Sequence, residues 1–452
     1  MSTELRVRVV QDPSQSFTTL PDELTRGPDI TVCLDILAGD RVRARLYGPA
    51  VPSLHGTEHR ADLTVRPTEV RTAAARLCRL WKELLVDFRP STDDGRPAPG
   101  TPEQPYAALV DLSTRPPAEL HGILEELALA GSELLFETLL GGTDPRVRRF
   151  RTYLAGALSA GEGLRVRFDS ELYVPWPMVC LRPEDPAAHD QDHDEDPAAL
   201  LARFLGHRHQ IEQTGGAYPW LVGRHQPPAV PSVSLNHDSR VDRQGRTRAA
   251  EIAAVLAANT RFVERTTRAE LVRALADSGL EEHLMYFWCH GHFIPNGSQP
   301  ACLAVRLSDR TPIDAQTVRD RRRRFGEDSP FQPFVILNAC HAGVPEGGGD
   351  LAFLGRALIH AGARGVLGPQ IEMPQLFAAE YALEFVTRYL RGTETAGEIA
   401  HAVARHFADK LLNPLGFAYA LHCGMDTRLE RADVQAAESG RENSVRAPGT
   451  TP

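Results

Sequence analysis

The order of apolar and polar residues changes character near residue 229. Before that point, alternating runs such as "ELRVRVV" and "DITVCLDILAGDRVRARLYG" predict short strands within residues 1–60. Residues 67–88 carry apolar side chains at helical spacing, which predicts a helix. We therefore expect residues 1–88 to form a small β-rich N-terminal domain with one helix.

The segments between this region and residue 229 are more mixed. Residues 89–105 are rich in Pro, Gly and charge, which predicts a linker. Residues 116–140 predict one helix or two, with Gly131 as a candidate break. Residues 164–180, "LRVRFDSELYVPWPMVC", predict two short strands.

From residue 229, continuous apolar runs alternate with helical segments. The runs "AVPSVSLN", "HLMYFWC" and "PFVILNAC" are the predicted strands, "CLAVRLS" is a candidate added strand, and helices are expected over 376–391 and 395–410. Strands that are apolar throughout and alternate with helices are typical of parallel sheets buried on both faces. The predicted fold class is therefore α/β, with a mostly parallel sheet flanked by helices. Residues 428–452 are polar and aperiodic, which predicts a disordered tail.

Composition narrows the functional classes. The chain has 452 residues, of which 42% are hydrophobic and 24% charged, with a net charge of −9 that argues against nucleic acid as a direct partner. Neither a signal-peptide pattern at the start nor a run of 18 apolar residues is evident, so no membrane association is expected. The seven cysteines are odd in number and scattered, which fits reduced thiols and a cytoplasmic location.

Two of the predicted strands end in chemically reactive residues. In open α/β sheets, ligands bind outside the carboxyl ends of the strands, so these two ends are expected to meet. A thiol needs a nearby imidazole to take its proton, and an attacked carbonyl needs fixed N–H donors. The residues at these two ends are Cys289, His290, Gly291, His292, Cys340 and His341.

The order of these motifs resembles the CHAT domain, a caspase-like peptidase family related to separases. The motifs that carry the resemblance are "FWCHG", "VILNACHAG", "EGGGDLAFLGRALIHAGARGVLG" and "FVTRYLRGTETAGEIAHAVARHF", in that order. His290 precedes Cys340 by 50 residues, and caspases show a similar separation of about 50. The resemblance covers about residues 110–427. The chain departs from the family pattern at Pro177, where an acid is usual, and at "GPQIEMP", where a Trp is frequent.

The resemblance implies a caspase-like cysteine endopeptidase that cleaves a protein substrate without a cofactor. It implies that Cys340 is the nucleophile and His290 the general base or acid, while the N–H groups of Gly291 and Cys340 form the oxyanion hole. It places the peptidase domain at 106–427, with a pseudo-repeat part over 106–228 and a catalytic part over 229–427. Residues considered as supporting the site are His292, His341 and Asp350.

Related bacterial proteins act in defence or programmed cell death and stay latent until a partner signals. We therefore expect an activating protein partner encoded by a neighbouring gene. No pro-segment is evident, so control is expected from conformation. The loops 292–301 and 341–350 are the expected moving parts, because both are rich in Gly and turn formers. Residues 1–90 are the expected partner-binding region.

Three other interpretations remain open. The fold could be a catalytically silent module that binds a peptide. The five Cys and His residues at the strand ends are zinc-ligand types, although their spacing matches no known finger. The acidic segment 184–197 offers carboxylates to Ca²⁺ without an ordered ligand pattern.

Two charged features have plain structural readings. The arginine-rich segment 319–328 is first an exposed helix end. Asp350 is first a helix N-cap, and an acidic pocket for arginine substrates is the alternative.

Overall fold

The structure is a computed structural model that describes most of the chain. The described residues are 27–52, 58–88, 106–172, 174–182, 196–215, 228–242, 245–296, 299–325, 329–341 and 352–432. At 293–296, 299–302, 340–341 and 352–353 the description covers the backbone alone.

Helices and strands alternate along the described chain in the order that the hydrophobic pattern implies. The strands are β1 (Ile30–Leu37), β2 (Arg41–Tyr47), β3 (His59–Leu63), β4 (Arg165–Ser170), β5 (Gln210–Thr214), β6 (Ser232–His237), β7 (Arg261–Arg265), β8 (Leu284–Asn296), β9 (Gln299–Arg306), β10 (Pro312–Ile313), β11 (Phe334–His341), β12 (Gly365–Pro369) and β13 (Tyr419–His422). The α-helices are α1 (Pro67–Trp81), α2 (Pro117–Glu133), α3 (Pro145–Ser159), α4 (Pro197–Leu201), α5 (Leu205–Arg208), α6 (Ala249–Ala257), α7 (Arg268–Leu275), α8 (Ala315–Arg322), α9 (Ala352–His360), α10 (Gln375–Tyr389) and α11 (Ala396–Leu411).

The described strands form one continuous sheet. Its main order is β10-β9-β8-β11-β12-β13-β5-β4-β1-β2-β3, and β6 adds to β8 with β7 outside it. Seven of the strand pairs are parallel and five are antiparallel. The predicted fold class, a mostly parallel sheet with helices on its faces, is confirmed.

The central strands β8 and β11 are buried on both faces. Alternate positions of β11 divide between two apolar clusters: Phe334 and Ile336 join the cluster of α6 and α10, while Val335 and Leu337 join that of α7, α8 and α9. This two-sided burial explains why "FVIL" is apolar throughout, since none of these four positions faces water.

The β-rich N-terminal region is present, and it extends the same sheet. Strand β1 runs parallel to β4, with Ile30 opposite Val166. The joint is reinforced by Asp29, whose carboxylate accepts the N–H of Arg165 at 2.9 Å and whose own N–H donates to the Arg165 carbonyl at 2.8 Å. Residues 27–88 therefore share one core with the rest of the described sheet. The predicted domain limits remain predictions, and the linker 89–105 and residues 433–452 lie outside the described residues.

Two local expectations were wrong. The expected loop over 292–301 is largely a hairpin, because β8 continues to Asn296 and β9 returns from Gln299. The second strand expected before Cys180 is a 3-10 turn at Trp176–Met178, since the prolines at 175 and 177 cannot donate to a ladder. Of the two alternatives left open at Gly131, the structure has the unbroken one, because Gly131 lies inside α2. A Cβ on Gly131 would lie 2.7 Å from the Met178 carbonyl oxygen, so the glycine permits close packing.

A buried ion pair between β7 and the start of β8 supports this end of the sheet. Arg265 donates to Glu282 at 2.5 Å, and their side chains are 8% and 2% exposed. Glu282 also accepts the hydroxyl of Ser234 at 2.7 Å, and Arg265 donates to Asn236 at 3.3 Å. The four side chains form a connected polar network beneath β6.

We predict that Arg265→Met lowers the free energy of unfolding by about 3–5 kcal/mol, because it leaves the Glu282 carboxylate buried without its cation. The control is Arg261→Met on the same strand, whose pair with Glu281 spans 3.5 Å with 62% and 45% of the side chains exposed. That change is expected to cost less than about 1 kcal/mol. Urea unfolding of both variants measures the contrast, and equal losses would contradict it.

Candidate active site

Strands β8 and β11 bring the two predicted catalytic positions side by side. They run parallel, with His290 opposite Cys340 and Gly291 opposite His341. Neighbouring strands lie about 4.8 Å apart, and positions opposite each other belong to the same face of the sheet. The position of Cys340 therefore falls on the face of His290, while that of His341 falls on the other face.

Asn338 anchors β11 two residues before Cys340. Its amide donates to the Ala378 carbonyl of α10 at 2.8 Å and to the Tyr286 hydroxyl at 3.3 Å. Its carbonyl oxygen accepts the Tyr419 hydroxyl of β13 at 2.6 Å. These bonds tie the carboxyl end of β11 to its neighbours on the face that carries the His290 position.

His290 is accessible, and its nearest described acidic neighbour is Asp238. The His290 side chain is 51% exposed, and its Nε2 lies 3.9 Å from Oδ2 of Asp238, whose side chain is 3% exposed. Asp238 directly follows β6, and its N–H donates to the Trp288 carbonyl at 3.0 Å. Asp238 was not among the predicted site residues, although "SLNHD" places polar residues at the end of an apolar strand.

The Asp238 carboxylate is held on both oxygens. Arg240 donates from Nε to Oδ1 at 3.0 Å and from Nη2 to Oδ2 at 3.2 Å, and its backbone N–H also reaches Oδ1 at 2.9 Å. Burial raises the pKa of Asp238, but the bonds and charge of Arg240, with a smaller contribution from His290, outweigh it and hold that pKa below its ordinary value. The Asp238 carboxylate is therefore ionised at neutral pH and lies beside the His290 imidazole.

In this conformation the N–H of Gly291 points toward β11, and the N–H of Cys340 points toward β8. On β8, the Trp288 carbonyl points away from β11 and accepts the N–H of Asp238. On β11, the N–H of Phe334 points toward β8 and donates to the carbonyl of His283, which directly precedes β8. Because N–H directions alternate along a strand, the Gly291 N–H faces the Cys340 carbonyl, and the Cys340 N–H faces β8. Both donors thus point into the ladder between β8 and β11.

The other residues of the two strand ends divide clearly. Cys289 is 2% exposed and packs in the cluster of α7 to α9, which confirms it as a core residue. His292 is half-buried, and no described side chain bonds to either ring nitrogen. Burial, assisted by the charge of Arg306, lowers the pKa of His292. His292 is therefore poorly suited to carry a proton.

Several sequence expectations fall outside what the structure describes. The side chains of Cys340 and His341 and the whole of Asp350 are not described, and neither is the loop 342–350. The acidic segment 184–197 is described only from residue 196 onward, where it begins α4.

Metal binding by the strand-end residues is limited by geometry. Cys289 lies in the core on one face of β8, while His290 is exposed from the other, so the two do not converge on one ion. Within the part of the chain that has described side chains, no cluster of three His, Cys, Asp or Glu residues suits a metal ion.

The arginine-rich segment begins as a helix end, since α8 runs to Arg322, but one of its arginines is structural. Arg322 is 2% exposed and donates to the Leu275 and Asp277 carbonyls of the α7 end at 3.3 and 2.9 Å. Its guanidinium lies 4.5 Å from the ring centres of both Phe325 and Phe331.

A family model and a curated protein match part of this chain. The family model described as the CHAT domain matches residues 221–413. A probable protease of Vitiosangium sp. (strain GDMCC 1.1324) is 28% identical over 137 residues, which is 30% of this chain and 18% of that protein. The chain thus matches less than a fifth of this curated relative.

Two crystal structures of the Saccharomyces cerevisiae separase–securin complex are also similar. Their TM-scores are 0.41 and 0.38 at 10% sequence identity, and each match covers 87% of this chain and 30% of the matched chain. In the described ranges, no helix has the length and apolar character needed to cross a bilayer. The match to the CHAT-domain family model confirms the resemblance of the motifs over residues 221–413, a shorter stretch than the motifs suggested.

Proposed function

We propose that the protein is a cysteine endopeptidase in which Cys340 attacks the substrate and His290 moves the proton. The observation that supports this most is the register, which sets Cys340 directly opposite His290 on neighbouring parallel strands. The exposure of His290 adds to it, because a general base must be reachable by substrate. The name of the relative as a probable protease agrees with the reaction class.

The reaction follows from the chemistry of a thiol and an imidazole. The Cys340 proton passes to His290, and the thiolate sulfur attacks the scissile carbonyl carbon, which places the negative charge on the carbonyl oxygen. His290 then returns the proton to the leaving amine nitrogen as the C–N bond breaks, leaving a thioester. Water, deprotonated by His290, hydrolyses the thioester and restores the thiol.

Latency is the second part of the proposal. An oxyanion hole requires N–H donors aimed at the developing negative charge. In this conformation the N–H groups of Gly291 and Cys340 point into the ladder between β8 and β11. We infer that activation opens the last rung of this ladder and turns both amides toward the substrate. A protein partner that binds only the open form would supply the free energy for this change.

The same observation favours one other function. If the last rung stays closed, the CHAT domain is a catalytically silent module that binds a peptide at the strand ends. This second candidate requires no activating partner, and it predicts no cleavage under any condition.

The test is co-expression of the full chain with each protein encoded by neighbouring genes, followed by mapping of new N-termini. The chain should be kept whole, since residues 27–88 share the core and their removal would expose the edge of β4. Cleavage sites that vanish in Cys340→Ala but persist in Cys423→Ala support the peptidase. Cys423 is a suitable control because it follows β13, whose last residue lies beside the start of β12, so it lies at the opposite end of the strands from Cys340. Absence of any Cys340-dependent site with every neighbour would favour the silent module, and full cleavage by the protein alone would contradict latency.

A further inference from the structure

The turn that follows β6 places Asp238 beside His290, the candidate catalytic histidine. Asp238 is fixed by Arg240 on its own turn, and the turn is tied to the segment after β9. Arg240 donates from Nη2 to the Ser308 carbonyl at 2.6 Å, and the Ser239 N–H donates to the Ser308 hydroxyl at 2.9 Å. The Asp238 carboxylate has little freedom to move, because the arginine that binds it is itself anchored to the segment after β9.

The direction of the imidazole gives this turn a chemical role. Nε2 of His290 is the ring nitrogen that lies near Asp238, at 3.9 Å from Oδ2. That separation exceeds a hydrogen bond, but catalytic contacts are often long before substrate binds. In a neutral imidazole one nitrogen donates while the other accepts. A proton kept on Nε2 by the carboxylate leaves the Nδ1 lone pair as the acceptor.

We propose that Asp238 is a positioning residue that holds the Nε2 proton of His290 and leaves Nδ1 to exchange a proton with the Cys340 thiol. The inference rests on the proposed peptidase function. When Nδ1 receives the thiol proton, the ring becomes a cation, and the buried carboxylate stabilises that cation without itself taking a proton. Arg240 keeps the carboxylate ionised by donating to both of its oxygens.

Other charged groups at this edge are differently placed. Arg306 on β9 is the register partner of His290, so it adds positive charge near the ring. Glu264 on β7 accepts from His237 at 2.6 Å and is 53% exposed. Glu264 is therefore an acid of the same sheet edge that is engaged elsewhere, which makes Glu264→Gln a matched control.

The experiment measures how fast iodoacetamide alkylates Cys340 in the full-length protein between pH 5 and 9, with peptide mapping by mass spectrometry. The variants are Asp238→Asn, Glu264→Gln and His290→Ala. Loss of a charge close to the ring is expected to raise the half-maximal pH of alkylation by about one unit in Asp238→Asn. His290→Ala should raise it further, towards an ordinary thiol, whereas Glu264→Gln should match the wild type. A fourth variant, Asp238→Glu, keeps the charge, so its half-maximal pH is expected to stay close to that of the wild type.

The outcomes separate this inference from the proposed function. If Asp238→Asn matches the wild type while His290→Ala does not, the positioning role is wrong and the thiol–imidazole pair stands. If neither variant differs from the wild type, the proposed pair is also wrong. Once a substrate is known, Asp238→Asn should lower kcat about 10- to 100-fold with little change in KM. A loss confined to KM for substrates with Lys or Arg at the cleavage site would instead assign the carboxylate to substrate binding.

Discussion

Cys340→Ala is expected to abolish peptide-bond cleavage by this protein. The sulfur is the only protein atom in the proposed mechanism that forms a covalent bond with the substrate, so its removal leaves no covalent intermediate. Loss of a nucleophile in a comparable catalytic unit lowers kcat by about 10⁶-fold. Activity should therefore fall to the background of the assay. The measurement is the cleavage rate of the mapped substrate by wild type and variant at equal concentration.

The fold should survive this change. Position 340 is the last but one residue of β11, and the Asn338 bonds to α10 and β13 hold the strand just before it. We expect equal urea midpoints for the variant and the wild type, within about 0.5 kcal/mol of stability. Cleavage by Cys340→Ala at the wild-type rate would place the nucleophile elsewhere.

The second large effect is expected at His290. His290→Ala should lower kcat about 10²- to 10⁴-fold, the usual contribution of a positioned general acid–base group. The reason is its place in register with Cys340 together with its exposure at the sheet edge. The measurement is steady-state cleavage of the same substrate by purified, partner-activated protein.

His292→Ala provides the matched comparison on the same strand. His292 lies on the same face two residues later, but its half-buried ring has no partner among the described side chains, and burial lowers its pKa. We expect its replacement, and that of His341, to lower kcat less than about tenfold. A larger loss in His292→Ala than in His290→Ala would transfer the general base to His292.

Much of the architecture could be predicted because the apolar pattern is strong. Runs such as "LMYFWC" and "FVIL" have no polar position, and only a strand covered on both faces requires that. The place where β8 and β11 meet followed from the rule that parallel strands end at one edge. Strand β5 was not predicted, because "QIEQT" has few apolar residues and forms a strand by pairing with β4 and β13.

Long-range pairing explains what the hydrophobic pattern could not show. Alternation describes a single strand and not its partner, so it gave no sign that β1 pairs with β4, 136 residues away. The segment "NGSQP" reads as a loop by composition, yet it joins two strands of a hairpin that pairs beyond the His290 position. Asp238 was missed because its relation to His290 spans 52 residues and depends on the β6–β8 register.

The central claim is that Cys340 and His290 form a reactive pair, and the alkylation rate of Cys340 in the full chain tests it most directly. Cys180 serves as the internal reference, since it is buried and burial raises its pKa to about 12. The account predicts that iodoacetamide modifies Cys340 at neutral pH at least about 10²-fold faster than Cys180, and that His290→Ala removes most of this advantage. Equal slow modification of the two cysteines, or a Cys340 rate that His290→Ala leaves unchanged, would contradict it.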